Sequence, residues 1–317
     1  MYKNGSKFML FWILFYIATV LFILPAALVA MGFGEEDIFH LVSSPMFLIA
    51  SQLLVLLAPL LLWVYAKREA FKNFLEFEPL DMVNVAIIAG ISLLIQPAMM
   101  FVSGLTGLFF PNVISDVVFG LMDYPFWLVL LAVAVTPSIV EELVFRGYVQ
   151  KQYESLGIKK AAIISGLFFG IIHMNMQQFF YAFIAGIVFS YIVYYTKSIV
   201  SGMLAHFVMN GSQLLLVRMA LIAEYEMAEA YDAMPMPEFT PEFVVIAVGI
   251  FALFTTPPAI ILLISLIKRC KKAHETNELS TADHEPLSPP VKNKPFTDPY
   301  LLAVVAIYAV FIIFMSL

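Results

Sequence analysis

Six polar residues stand where apolar ones are expected. Glu141, Glu142 and Arg146 follow 17 uncharged residues in the stretch W-L-V-L-L-A-V-A-V-T-P-S-I-V-E-E-L-V-F-R-G. His173 closes the run G-L-F-F-G-I-I-H, and His206 and Asn210 lie inside G-M-L-A-H-F-V-M-N. A charge at the centre of a bilayer costs about 2.5–3.5 kcal/mol on insertion scales, so such residues usually face a bundle interior or water and carry function. On a helix, Glu142 and Arg146 are four apart with the acid first, the favourable order for an ion pair. Glu141 is turned about 100° from Glu142 and has no such partner. An unpaired, partly desolvated carboxylate holds its proton more tightly, which suits a general base. Phe169 and His173 share one helix face, as do His206 and Asn210. A carboxylate and an imidazole can activate water, while a second imidazole and an amide can donate to a developing oxyanion. Each piece alone has a plainer explanation: a helix that surfaces early at its charged end, or histidines that bond across helices.

The elements that must position these groups are transmembrane helices. The 317 residues are 62% hydrophobic and 13% charged, with a mean hydropathy of +0.92. A soluble domain is about half apolar and a quarter charged, and the high aliphatic and aromatic content excludes disorder. The net charge is −6 and there is one cysteine, Cys270. No internal disulfide and no thiolate metal site follows from a lone thiol, and no nucleic-acid partner is expected. The uncharged intervals predict an all-α, polytopic bundle of about nine (eight to nine) helices near 8–33, 42–66, 83–109, 125–150, 160–174, 178–196, 198–221, 243–267 and 299–316, each near the roughly 20 residues a bilayer requires. The 36-residue interval from Lys160 to Lys197 holds two helices, divided at Asn175, Gln177 and Gln178.

With the N-terminus in the cytoplasm, 15 of the 17 Lys and Arg fall on that side, while Glu35, Glu36, Asp37, Asp116, Asp123 and the acidic run 224–242 fall on the other. Cytoplasmic loops are the basic ones. The expected localisation is therefore a multi-pass integral membrane protein, in the plasma (inner) membrane if the source is bacterial. The first helix is too long for a cleaved signal peptide. Three regions are expected: helices 1–3 over 1–120, a catalytic core of helices 4–7 over 121–222, and 223–317 with an acidic loop, helix 8, a flexible linker over 268–298 and helix 9.

Glu-Glu-x-x-x-Arg at 141–146, Phe-x-x-x-His at 169–173 and His-x-x-x-Asn at 206–210 occur in that order on successive helices. The trio resembles the CPBP intramembrane proteases, which include CAAX prenyl endopeptidases, bacteriocin-processing proteins and lysostaphin-resistance-type proteins, over roughly 120–215. The resemblance implies a glutamic-type endopeptidase in which Glu141 and His173 activate a water. His206 and Asn210 would stabilise the oxyanion, and Glu142, Arg146 and Phe169 would shape the site. It implies a membrane-associated peptide or protein as substrate, the lipid bilayer as partner and no cofactor. Zinc on Glu141, His173 and His206 is the lesser alternative, disfavoured because no H-E-x-x-H occurs and Asn210 is a poor zinc ligand. A proton-coupled transporter and an inactive membrane scaffold of the same family are the competing readings; a transporter's internal repeat is not seen. On straight helices Glu141 and His173 would sit at opposite depths, so helix four must extend, or the helices tilt or break at Pro137, Gly166 or Gly170.

Overall fold

The computed structural model describes residues 3–70, 72, 74–111, 115–230, 239–280 and 295–315. These residues form eleven helices. They are α1 (3–30), α2 (Glu35–Val42), α3 (Pro45–Ala66), α4 (Met82–Gly107), α5 (Ser115–Leu121), α6 (Phe126–Leu156), α7 (Ile158–Ile171), α8 (Met176–Thr196), α9 (Ile199–Ala230), α10 (Pro241–Ser280) and α11 (Pro299–Met315). The expected all-α, polytopic membrane bundle is what forms. Among the described residues seven helices are long and apolar enough to cross a membrane: α1, α3, α4, α6, α8, α9 and α10. Two of the nine expected spans are shorter. α11 has 17 residues and α7 only 14, about 21 Å of helix against a hydrocarbon core of about 30 Å.

Local chemistry sets the helix ends. Ser44 caps α3, accepting from the Phe47 N–H, with Pro45 at the first helical position. Asp81 caps α4 through the Asn84 N–H. Asn175 caps α8 by accepting from the Gln178 N–H at 3.1 Å. Gly157, at φ +90°, makes the sharp turn between α6 and α7 that an L side chain would resist. Two helices outrun their expected ends. α9 continues past 221 to Ala230 and α10 past 267 to Ser280, because the residues that follow are strong helix formers with no Gly or Pro. The first half of the expected linker is thus helical; its 281–294 portion, and 231–238 of the acidic run, lie outside the described residues.

Two apolar cores flank the site. One joins α1, α3, α6, α7 and α11 through Phe8, Leu60, Phe145, Phe168 and Val304. The other joins α4, α8, α9 and α10 through Ile91, Phe189, Met209 and Leu266. α7 and α8 form a tight antiparallel pair. A Cβ on Gly186 would stand 2.7 Å from the Gly166 Cα, so glycine on both helices permits the approach. Arg269 of α10 pairs with Asp81 at 3.1 Å on the exposed end of α4.

Candidate active site

α6 carries the two carboxylates, and its backbone is irregular on both sides of them. A regular α-helical stretch, Thr136–Glu142, lies between two π-helical stretches, Leu131–Val135 and Leu143–Gln150. Such widened turns recur at functional sites. Glu141 has 15 residues of α6 before it and 15 after it (126–140 and 142–156), so it sits at mid-helix, not at a charged end. α7 stops early, and His173 follows in the turn to α8, where Met174 takes φ 47°. A long α6 and a short α7 therefore remove the expected mismatch in depth.

Glu142 is wholly buried. Its Oε1 accepts from Arg146 Nη1 at 2.8 Å and from His206 Nδ1 at 3.0 Å. Arg146 also donates from Nη2 to the Gly186 carbonyl at 3.1 Å. Its guanidinium lies 4.4 Å from the Phe169 ring centre and 5.2 Å from that of Phe189, a desolvated cation–π arrangement. The pairing of Glu142 with Arg146 follows from their spacing. That of Glu142 with His206 does not, because spacing on one helix says nothing of which carboxylate meets a neighbouring helix.

His206 is held at both ring nitrogens. Nδ1–H donates to Glu142, and Nε2 accepts from Asn210 Nδ2 at 3.2 Å. The other Asn210 amide hydrogen goes to the Val133 carbonyl at 3.0 Å. Val133 stands four residues before Pro137, which has no N–H to return to that carbonyl. The proline thus frees the acceptor that anchors Asn210, a sequence signal readable only once α6 and α9 are known to touch.

Glu141 is buried and differently placed. Among the described residues its one hydrogen bond comes from the neutral amide of Gln52, Nε2 to Oε1, at 3.1 Å. Its Oε2 lies 3.9 Å from His206 Nε2, beyond direct hydrogen-bond range. The sequence signal for Gln52 is a lone amide within the apolar span 42–66. His173 donates from Nδ1 to the Phe169 carbonyl at 2.8 Å, which leaves Nε2 with its lone pair. It stands within electrostatic reach of Glu141 and His206. Both imidazoles pack in T-shaped contact with Phe169, with ring centres 5.3 and 5.7 Å away. The structure thus brings Glu141, Glu142, Arg146, Phe169, His173, His206 and Asn210 into one cluster.

Residues 123–212, which span α6, α7, α8 and the first half of α9, match the family model described as Type II CAAX prenyl endopeptidase Rce1-like. Over these residues the sequence is similar to the CPBP/CAAX protease family. The CAAX-protease match contains every residue of the cluster except Gln52, and the family it names is one of hydrolases. No curated protein and no solved structure matches the chain. Both nitrogens of His206 are engaged, and among the described residues no three His, Cys, Asp or Glu side chains group as metal ligands.

Proposed function

We propose that this chain is an intramembrane glutamic-type endopeptidase. It cleaves a peptide bond near the C-terminus of a prenylated, membrane-associated protein or peptide, without a metal. The observation that supports it most is the meeting, at the midpoint of α6, of a carboxylate whose one hydrogen bond among the described residues comes from a neutral amide with two imidazoles that share Phe169, His173 in the turn after α7 and His206 on α9.

Glu141 takes a proton from a water while His173 Nε2 orients it, and the water oxygen attacks the scissile carbonyl carbon. The developing oxyanion is a stronger acceptor than an imidazole nitrogen, so the Asn210 hydrogen now on His206 turns to it. His206 takes a proton from bulk water at Nε2 as the substrate binds and keeps it throughout the turnover, which supplies a second donor, and Glu142 on the opposite nitrogen stabilises that imidazolium. The tetrahedral intermediate then collapses as Glu141 passes its proton to the leaving amide nitrogen. Arg146 neutralises Glu142, which keeps the negative charge on the carboxylate that reacts. The bias of basic residues supports a cytoplasmic N-terminus.

The test is purified protein in proteoliposomes given a farnesylated peptide that ends in Cys-aliphatic-aliphatic-X. Mass spectrometry should find the released terminal tripeptide with the wild type and not with Glu141→Gln. Intact peptide after prolonged incubation with correctly folded wild type would refute this activity.

A further inference from the structure

Below the carboxylates, a second polar feature crosses the apolar seam between α6 and α8. Glu142, Arg146 and Gln150 recur every four residues on α6, and Gly186 and Ser190 do so on α8. Two rungs join them: Arg146 Nη2 to the Gly186 carbonyl at 3.1 Å, and Gln150 Nε2 to the Ser190 carbonyl at 3.2 Å. Gln150 Nε2 also reaches Glu154 Oε1 at 3.3 Å, and Glu154 Oε2 meets Lys151 at 3.1 Å. Lys151 pairs in turn with Glu76 at 2.8 Å. Burial falls off along this row. Glu142, Arg146, Gln150 and Ser190 are 0% exposed, whereas the side chains of Lys151, Glu154 and Glu76 are 10%, 19% and 38% exposed.

Each of the four buried members keeps one polar atom without a protein partner: Glu142 Oε2, Arg146 Nε, Gln150 Oε1 and Ser190 Oγ. A seam that existed only to join helices would satisfy these atoms or replace them with apolar ones, because an orphaned buried group costs more than an ordered water that bridges it. Four orphans of mixed donor and acceptor type, in a row of about 12 Å along α6, are what a chain of hydrogen-bonded waters requires. The π-helical turns over Leu143–Gln150 lie on the same stretch.

We propose that this face of α6, against Gly186 and Ser190 of α8, binds a file of water. The file connects the polar end at Lys151, Glu154 and Glu76 with the carboxylate pair, and Gln150 is its gatepost. Its role as supply line for the hydrolytic water rests on the peptidase reading; its existence does not.

Two measurements separate these claims. In a Cys270→Ala background, Ser190→Cys and Ser165→Cys give two fully buried thiols, one on the row and one bonded away from it to the Phe145 carbonyl. Silver ion consumes accessible thiols, and those remaining are counted with a fluorescent maleimide after denaturation. Cys at 190 should react at least tenfold faster than Cys at 165, and Gln150→Leu should slow it about tenfold. Equal rates at the two positions would overturn the file.

The second measurement is tripeptide release. Gln150→Leu should lower kcat about tenfold with KM unchanged and thermal stability preserved. Gln150→Ser should lose stability but keep turnover, because it widens the row while leaving it polar. Gln152→Leu is the control: an equally buried amide with orphaned atoms, off this row, whose loss should leave turnover unchanged. Full turnover in Gln150→Leu would overturn the supply role. Absent cleavage by the wild type would sink the peptidase reading and leave the thiol rates to decide the file.

Discussion

A single methyl group at Gly202 should disable the site while hardly disturbing the fold. Gly202 lies on α9, beside both α8 and the carboxylates. A Cβ there would stand 2.6 Å from Val193 Cγ2 and 2.7 Å from Glu142 Oε2, against ordinary contacts of about 3.5–4.0 Å, so something must yield by about 1 Å. Val193 is buried, and Glu142 Oε1 is pinned by Arg146 and His206 at 2.8 and 3.0 Å. A shift of about 1 Å in Glu142 takes at least one of those bonds out of range. Overpacking of this kind costs about 1–3 kcal/mol, and replacing a helical glycine by alanine returns about 1 kcal/mol. The net stability loss for Gly202→Ala is therefore about 0–2 kcal/mol. Displacement by 1 Å at a catalytic group costs roughly 10²-fold in rate. Gly211→Ala is the control on the same helix, since its Cβ would meet Leu130 and Ala134 at the ordinary distances of 3.7 and 3.8 Å. Turnover of the prenylated peptide and thermal unfolding, measured for both variants in one detergent, form the assay. Near-normal turnover in Gly202→Ala would refute the dependence of catalysis on the position of Glu142.

Pro137→Ala should restore an N–H for the Val133 carbonyl and so loosen Asn210. Turnover should fall up to about tenfold, the worth of one neutral hydrogen bond, while thermal stability holds or rises. Single-cysteine variants in 151–160, made without Cys270, should resist a membrane-impermeant thiol reagent added to intact cells; external labelling there would invert the assigned orientation. A membrane-permeable chelator should leave peptide cleavage unchanged, and loss of activity that zinc restores would establish a metal enzyme.

Much of the bundle is legible from charge alone. Intervals between ionisable residues locate the helices because a bilayer penalises any charge within them. Length is harder to read. The 36 uncharged residues between Lys160 and Lys197 do hold two helices, and Asn175 does mark their junction. Nothing in the composition of 158–171, however, says that α7 ends after 14 residues. The polar tail of α10 looks like linker by composition, yet Lys-Arg-Cys-Lys-Lys-Ala-His-Glu continues the helix for want of a breaker. Within the site, partners on one helix are readable and partners across helices are not. Four-residue spacing joins Glu142 to Arg146. The contacts of Gln52 with Glu141, His206 with Glu142 and Asn210 with Val133 depend on how α3, α6 and α9 pack.

The adjacent glutamates provide the most direct test of the account. Glu141 takes one bond from a neutral amide, whereas Glu142 ties Arg146 to His206 in a fully buried setting. Glu141→Gln removes the base but preserves shape, so turnover should fall by about 10²–10⁴-fold with the unfolding temperature maintained. Glu142→Gln strips the charge that offsets Arg146, so it should cost stability of about 3–5 kcal/mol as well as activity. Turnover and unfolding temperature of both variants, measured side by side in the same detergent, are decisive. Near-normal turnover in Glu141→Gln, with Glu142→Gln stable but inactive, would show that Glu142 is the base and contradict the assignment.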